Sequence, residues 1–380
     1  MVDSELQRVN TDSATMLFGT LPGRRNGSWN RRDARLRGWN ARMEGEQMRP
    51  RVIEVAARAG VSASTVSNFL HRPEVVSPAT QERVREAIAA LRYVPNYHAR
   101  QLRSGLSRTI GLLLLDAWSA FYAELSRGVE DFADERGWTI MVSNTRRNED
   151  RERRNLDMYE AQRVRGILIV PQGLVGTRLR ELRRAGTSCV VIEQWDPPSD
   201  IPSVTVNDTA GGSVAAEHLV RSGRRRLAFA GDPGQIRHVN ERWQGFRAAV
   251  FDSTGDTPML VRTQDLTMKA GLLAAGELLV GPPEERPDGV FAANDLVALG
   301  ILQACMRAGV RVPDDIAIVG FDDIEFAAQA AVPLTTVKQP AVELGRTAAE
   351  LLIEDMEHGG QLPPKHVLFE PKLIVRQSAP

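Results

Sequence analysis

Six polar side chains of this 380-residue chain have the types and spacing to hold a small polyhydroxylated molecule. Glu193 follows the apolar run Ser188–Ile192. Asn294 and Asp295 follow Gly289–Ala292, and Asp322 and Asp323 follow Ile316–Phe321. Arg242 comes after a loop rich in Gly and Pro and is expected to open a helix. If the apolar runs are parallel strands, the polar groups gather at their carboxyl ends, where open α/β sheets form ligand crevices. Carboxylates, an amide and a guanidinium donate and accept the hydrogen bonds that a sugar or nucleoside-like ligand needs. Phe121 or Trp118 could stack on its apolar face. Taken singly, Asp322 could cap the next turn and Asn294 could brace its own loop. Four such groups at equivalent strand ends favour a pocket.

A second set lies nearer the start. Gly60-Val61-Ser62 separates two short apolar-periodic segments, and the second of these, Ala63–Leu70, is the candidate recognition helix. Its early exposed residues Ala63, Ser64 and Asn68 would meet base edges in a major groove. Thr65 and Ser67 suit phosphate contacts, which set register rather than sequence. Any one Ser or Thr here reads equally as a helix cap or a solvated side chain. Asn96 to Arg103 is short and basic, too short to be a stable helix alone, so it would order only when docked. Ala99 and Leu102 within it suit a minor-groove wedge, although by themselves these residues read first as a linker.

Catalytic signatures are missing. There is no G-x-S-x-G elbow, P-loop or paired-His motif, and Gly211-Gly212 does not follow a dinucleotide fingerprint. The strand-end acids have no nucleophile beside them. Six histidines and two cysteines, Cys189 and Cys305, show no metal-ligand spacing and no disulfide framework. No catalytic residue, metal or cofactor is therefore expected. No run of 18 apolar residues and no secretory pattern is seen, so a cytosolic protein without a membrane partner is expected.

These residues need elements to place them. The spacing predicts a helix from about Arg51 to Ala59 stopped by Gly60, with Val52, Ile53, Val55, Ala56 and Ala59 recurring at helical spacing. Ser62 caps a second helix whose inward face is Val66, Phe69 and Leu70. Ser77 caps and Pro78 opens a third that reaches about Arg92. Short helix, tight turn, short helix and a supporting third form a helix-turn-helix pattern, with a generic three-helix bundle as the alternative. From Thr109 onward apolar runs alternate with helical patterns in two consecutive series of similar size, the signature of parallel sheets. The domains expected are a disordered extension or over-extended start over 1–47, a DNA-binding head over 50–95, a linker over 96–108 and a core over 109–380.

The formal net charge is zero but unevenly spread. Residues 51–108 hold nine basic and four acidic side chains, and residues 1–50 hold nine and six. The rest of the chain is acidic to the same extent. A basic module on an acidic body fits binding to a polyanion, with a solvated face as the alternative.

The run from Val55 to Ser67, and Tyr93-Val94-Pro95-Asn96 leading into Ala99-Arg100-Gln101-Leu102, resemble the start of lactose-repressor (LacI/GalR) family regulators. Thr109-Ile110-Gly111-Leu112, Glu217-His218-Leu219, Arg242 to Phe246, Ala293-Asn294-Asp295, Val319 to Asp323 and Leu334 to Gln339 are similar to family motifs and follow in the same order. The resemblance runs from about residue 50 to the C-terminus. It implies a sequence-specific transcriptional regulator, most often a repressor, cytoplasmic and nucleoid-associated, that reads a near-palindromic operator as a homodimer. It implies a core similar to periplasmic sugar-binding proteins, of two lobes covering about 109–206 with 340–367 and 207–338 with 368–380. The chain would pass between the lobes near Val206, Gln339 and Val367. Phe121, Glu193, Arg242, Asn294, Asp322 and Gln339 would line the site of a small-molecule effector, a sugar or sugar derivative. Ser62, Ala63, Ser64, Thr65, Ser67 and Asn68 of the head, with Asn96, Ala99 and the hinge leucine Leu102, would contact double-stranded DNA. Asn68 stands where the family often has Arg, and Glu193 and Gln194 stand where Asp and Arg are common, which implies an altered ligand contact.

Overall fold

The backbone of residues 50–93, 107–194, 197–234 and 236–380, and their side chains apart from that of His71, are described by a computed structural model. The chain divides into two compact units, the first ending at Ala99 and the second beginning at Arg100. The extension over 1–47, the hinge and the contacts expected of Asn96, Ala99 and Leu102 lie outside the described residues.

In the first unit, α1 (Val52–Ala59) stops at Gly60, whose φ of 64° is the left-handed geometry that glycine adopts without strain. Two residues later the Ser62 hydroxyl accepts the Thr65 amide at 3.1 Å and caps α2 (Ala63–His71). A short 3₁₀ turn precedes α3 (Pro78–Leu91), which ends at Arg92. Val55, Val66 and Val84, one from each helix, are fully buried against one another with Ala56, Ala59 and Ala87. Phe69 and Leu70, expected inward, are only half-buried at the edge of this cluster, and Ile53, expected at helical spacing with the inward residues of α1, is exposed. Ser77 takes the N-cap position, but its hydroxyl donates to the Thr80 hydroxyl instead of accepting an amide.

The second unit is built on two six-stranded sheets. The first contains β1 (Thr109–Leu114), β2 (Thr139–Asn144), β3 (Gly166–Ile169), β4 (Ser188–Ile192), β5 (Ser203–Val206) and β11 (His366–Phe369), all parallel, in the order β11-β5-β4-β3-β1-β2. The second contains β6 (Leu227–Ala230), β7 (Met259–Val261), β8 (Gly289–Ala292), β9 (Ala317–Asp322), β10 (Thr335–Lys338) and β12 (Lys372–Ile374), in the order β12-β10-β9-β8-β6-β7, with β12 antiparallel. The central strands are apolar on both faces because helices cover both. Leu112, Leu114, Leu168 and Val190 pack on α4 (Ala120–Asp134) and α12 (Ala341–Glu357). Leu113, Ile167, Ile169 and Val191 pack beneath α5 (Glu149–Ala161) and α6 (Gly176–Arg184). The second sheet is enclosed likewise by α7 (Asp208–Arg221) and α8 (Arg237–Thr254) on one face and by α9 (Met268–Leu278) and α10 (Asp295–Ala308) on the other, with the short α11 (Glu325–Ala328) following β9.

Two expectations need correction. The third passage between lobes does not fall near Val367, which pairs with Val204 inside the first sheet; the chain crosses after Phe369, at Glu370-Pro371. And α8 begins at Arg237, so Arg242 lies inside it and not at its start. The segment Arg237 to Glu241 has one aliphatic residue, Val239, and its other inward position is taken by His238, so the apolar period is too thin to reveal the first turn. β5 and β10 mix apolar with hydroxyl side chains, and β11 and β12 are only four and three residues long, so none stands out as a strand alone. Two of the passages are tied together, since the Asn207 amide group donates to the Glu370 carboxylate at 3.1 and 3.2 Å and the Asn207 backbone N–H donates to the Phe369 carbonyl.

Helix pairs in both lobes touch through glycines that face each other's backbone. A Cβ at Gly128 of α4 would lie 2.1 Å from the Val342 carbonyl, and one at Gly345 of α12 would lie 2.0 Å from that of Leu125. Gly212 and Gly245 do the same for α7 and α8, and Gly271 and Gly300 for α9 and α10. Small residues let helix axes approach closely, and any added carbon must push backbone against backbone. Within α9 this gives opposite outcomes for one substitution. Gly271→Ala should destabilise the core by about 2 kcal/mol, whereas Gly276→Ala, where a Cβ meets nothing within 4 Å, should stabilise it by about 0.5 kcal/mol. Urea midpoints of the two variants measure this, and equal shifts would contradict the close-approach account.

Candidate functional site

On the first unit, the amino-terminal turn of α2 shows its side chains to solvent. Ser62, Ala63, Ser64 and Asn68 are exposed, and Thr65 and Ser67 are half-buried beside fully buried Val66. The Ser62 hydroxyl also meets the hydroxyls of Ser64 at 2.7 Å and Thr65 at 2.9 Å, a local network at the positive end of a helix dipole. Backbone N–H groups at such an end favour a phosphate oxygen.

In the second unit, a cleft lies between the carboxyl ends of the two sheets. Phe121, Glu193, Arg242, Asn294, Asp322 and Gln339 all line one cavity of about 130 Å³ there. Glu193 follows β4 and Asp322 ends β9, and both take left-handed backbone, with φ of 57° and 116°. Neither is glycine or asparagine, so each costs on the order of 1 kcal/mol of backbone strain, the kind that collects at ligand sites. Gln339 stands on the passage from β10 to α12.

Arg242 is the charged centre of the cleft. It is 2% exposed; its Nε donates to Asp208 at 2.7 Å and its Nη1 to the Ala293 carbonyl at 2.7 Å. The guanidinium lies 3.6 Å over the Phe321 ring, and Nη1 is 3.9 Å from an Asp322 oxygen. Its Nη2 makes no hydrogen bond among the described residues. Gln339 donates from Nε2 to Asp322 at 2.6 Å, which leaves its buried Oε1 without a partner among the described residues. A ligand hydroxyl that donates to Gln339 and accepts from Arg242 would satisfy both.

Burial decides the charge of the acids. Glu193 is pushed up to about 8 by burial, against the hydrogen bond it accepts from the Tyr122 hydroxyl at 2.6 Å. Asp322 is pushed up to about 6 by burial, partly offset by Arg242. At pH 7 Glu193 is thus mainly a neutral carboxylic acid and Asp322 a carboxylate. His238 is held well below its ordinary range by burial and then by Arg242, so it is a neutral imidazole.

Other residues at strand ends do different work. Asn294 lines the cleft, but its Oδ1 caps α10 by accepting the Val297 amide at 3.0 Å and its Nδ2 donates to the Leu266 carbonyl, so its amide braces the wall. Asp295 is fully buried and accepts the Thr336 hydroxyl at 2.5 Å and the Ile324 amide at 2.9 Å. Asp323 pairs with Arg376 at 2.7 Å and Lys338 at 3.3 Å. Both Phe121 and Trp118 reach the cavity. Sequence reasoning missed Tyr122, Arg147, His238 and Asp208. Tyr122 adjoins an anticipated residue on the same helix, and the other three sit in polar segments where no periodicity marks an inward position. Among the described residues no cluster of His, Cys, Asp and Glu could hold a metal ion, and no helix is long and apolar enough to cross a membrane.

The native core keeps the Glu193 proton up to about pH 8, while the unfolded chain releases it near the ordinary value of 4.5. Across that window the native state binds more protons, so stability falls as pH rises. Glu193→Gln should remove this part of the slope, and urea midpoints between pH 5 and 8 would show it. Parallel slopes for variant and wild type would contradict the assigned protonation.

Comparison with known proteins places this geometry. Residues 52–96 match the family description "Bacterial regulatory proteins, lacI family", and residues 216–379 match "Periplasmic binding protein-like domain". The HTH-type transcriptional repressor PurR of Aliivibrio fischeri is 32% identical over 332 residues, covering 86% of this chain and 97% of that protein. The ribose operon repressor of Escherichia coli K12 is 35% identical over 328 residues, covering 86% and 98%. Among solved structures, the lac repressor dimer bound to operator and an anti-inducer superposes with a TM-score of 0.74 at 27% identity, over 87% of this chain and 99% of that one. The helix-turn-helix pattern, the two parallel-sheet lobes and these full-length matches have one reading: the chain belongs to the lacI family of bacterial regulatory proteins.

Proposed function

We propose that this chain represses transcription from a near-palindromic operator as a homodimer, and that a carbohydrate held in the core cleft changes its grip on DNA. The observation that carries this is the meeting of Phe121 and Glu193 from one lobe with Arg242, Asn294 and Asp322 from the other around a single cavity, with Gln339 on a passage between them. A ligand that touches both lobes has different affinity for different lobe arrangements, which is what a population shift requires. The buried carboxyl groups, the guanidinium and the unpartnered Gln339 oxygen suit hydroxyl groups, and a relative is named for a ribose operon.

Ser62, Ala63, Ser64, Thr65, Ser67 and Asn68 contact the operator in this reading, joined by Asn96, Ala99 and Leu102, with Leu102 entering the minor groove. The lac repressor's dimer on its operator supports the homodimer. In this reading the protein works in the cytoplasm and returns its ligand unchanged, in keeping with relatives that are named as repressors.

Operator selection from random DNA, repeated with a panel of sugars, tests the reading: a palindrome should be enriched, and one sugar should shift its retention. Affinity for it should fall steeply with salt as counterions are released; salt-independent affinity would count against phosphate contacts. Leu102→Ala should weaken specific binding and spare binding to unrelated DNA, and equal losses would rule out the wedge. Asp322→Ala should abolish the sugar response with operator binding kept, and an intact response would move the pocket elsewhere.

A further inference from the structure

The cleft does not end at the cavity around Arg242. A second compartment of about 210 Å³ adjoins the first and shares Leu115, Glu193 and His238 with it. Its outer walls are the loop 170–174 after β3 and the start of α8 at Ile236 and Arg237. That loop is fixed from behind, because buried Glu152 accepts the Gln172 amide at 2.6 Å.

The inner compartment, at about 130 Å³, is the smaller of the two. A one-ring ligand there would leave the larger compartment to water. The rim carries matching features. Trp118 borders the inner compartment and Leu174 the outer, and at 85% and 94% exposure they are the most exposed large apolar side chains among the described residues. Each offers an uncovered apolar surface to the less polar face of a sugar ring.

The geometry points to a disaccharide as the ligand, with one ring held by Arg242, Asp322 and Gln339 and the second lying between Leu174 and His238. The inference rests on reading this cleft as the effector site. The outer compartment presents the side chain of Gln172, whose amide group matches ring hydroxyls. Where the compartments meet, burial pushes Glu193 up to about 8 and holds His238 well below its ordinary range, which favours the uncharged form of both.

Titration calorimetry on the full chain tests this, using maltose, cellobiose, lactose and trehalose beside glucose, galactose and ribose, with adenosine and uridine as nucleosides. One disaccharide should bind roughly 50-fold tighter than either of its component sugars, which is the affinity gained by filling the second compartment. Leu174→Ala, at an exposed position that leaves folding intact, should weaken that disaccharide about fivefold and leave monosaccharide binding unchanged. A monosaccharide or nucleoside that binds as tightly as any disaccharide would overturn the inference and leave the cleft as the effector site. Equal weakening of both sugar classes by Leu174→Ala would also overturn it. Absence of saturable binding by every probe would overturn both the inference and the carbohydrate reading beneath it.

Discussion

The cleft depends on one buried cation. An arginine at 2% exposure has lost nearly all its water, and such a charge is tolerated only when protein groups replace that hydration. For Arg242 the replacements come from separate elements: Asp208 at the start of α7, the Ala293 carbonyl after β8, and Asp322 and the Phe321 ring at the end of β9. The two 2.7 Å hydrogen bonds, to Asp208 and to Ala293, are the closest of these contacts. The guanidinium therefore fixes the cleft wall of the second lobe before any ligand arrives. The same field raises Asp322 less than its burial alone would and keeps His238 neutral.

Close helix contacts hold those elements at their spacing. Gly212 of α7 lies against the Arg242 carbonyl itself, and Gly245 of α8 lies against that of Thr209, so the helices carrying Asp208 and Arg242 meet backbone to backbone. The 2.7 Å ion pair between the two helices follows from that contact. In the first lobe, Gly128 and Gly345 lock α4, which carries Phe121 and Tyr122, to α12, which begins just after Gln339. The two lobes use the same device, although their sequences show no close repeat.

What the lobes share with each other is slight by comparison. The chain passes between them at Asn207, at Gln339-Pro340 and at Glu370-Pro371, and the first and third passages are bonded side by side. Rigid bodies joined by a few short segments respond to a ligand by changing their relative angle, because their packed interiors resist deformation. Glu193 and Asp322, each held in left-handed backbone at a strand end, face this junction from opposite lobes.

Much of this was legible in the residues. Gly60, Ser62 and Pro78 punctuate the head because their backbone and capping preferences act locally. Ile110–Leu115, Ser188–Ile192 and Gly289–Ala292 show as strands because both faces are buried, so an unbroken apolar run suffices. Phe121, Glu193, Arg242, Asn294, Asp322 and Gln339 do line one cavity. Sequence could not show that β5, β10, β11 and β12 complete the sheets, since such short segments become strands only by pairing with neighbours distant in the chain. Nor could it assign the inward turn of Asp208, His238 and Arg147, or tell Asn294 the brace from Asp322 the cleft-facing acid. Local preference and apolar period are properties of the chain itself, and they showed the head helices and the central strands, while the resemblance of ordered motifs pointed to the family and to residues such as Gln339. Burial, charge state and unsatisfied hydrogen-bonding capacity arise only when separate segments meet, and for Arg242, Glu193 and Gln339 the tertiary structure alone decided them.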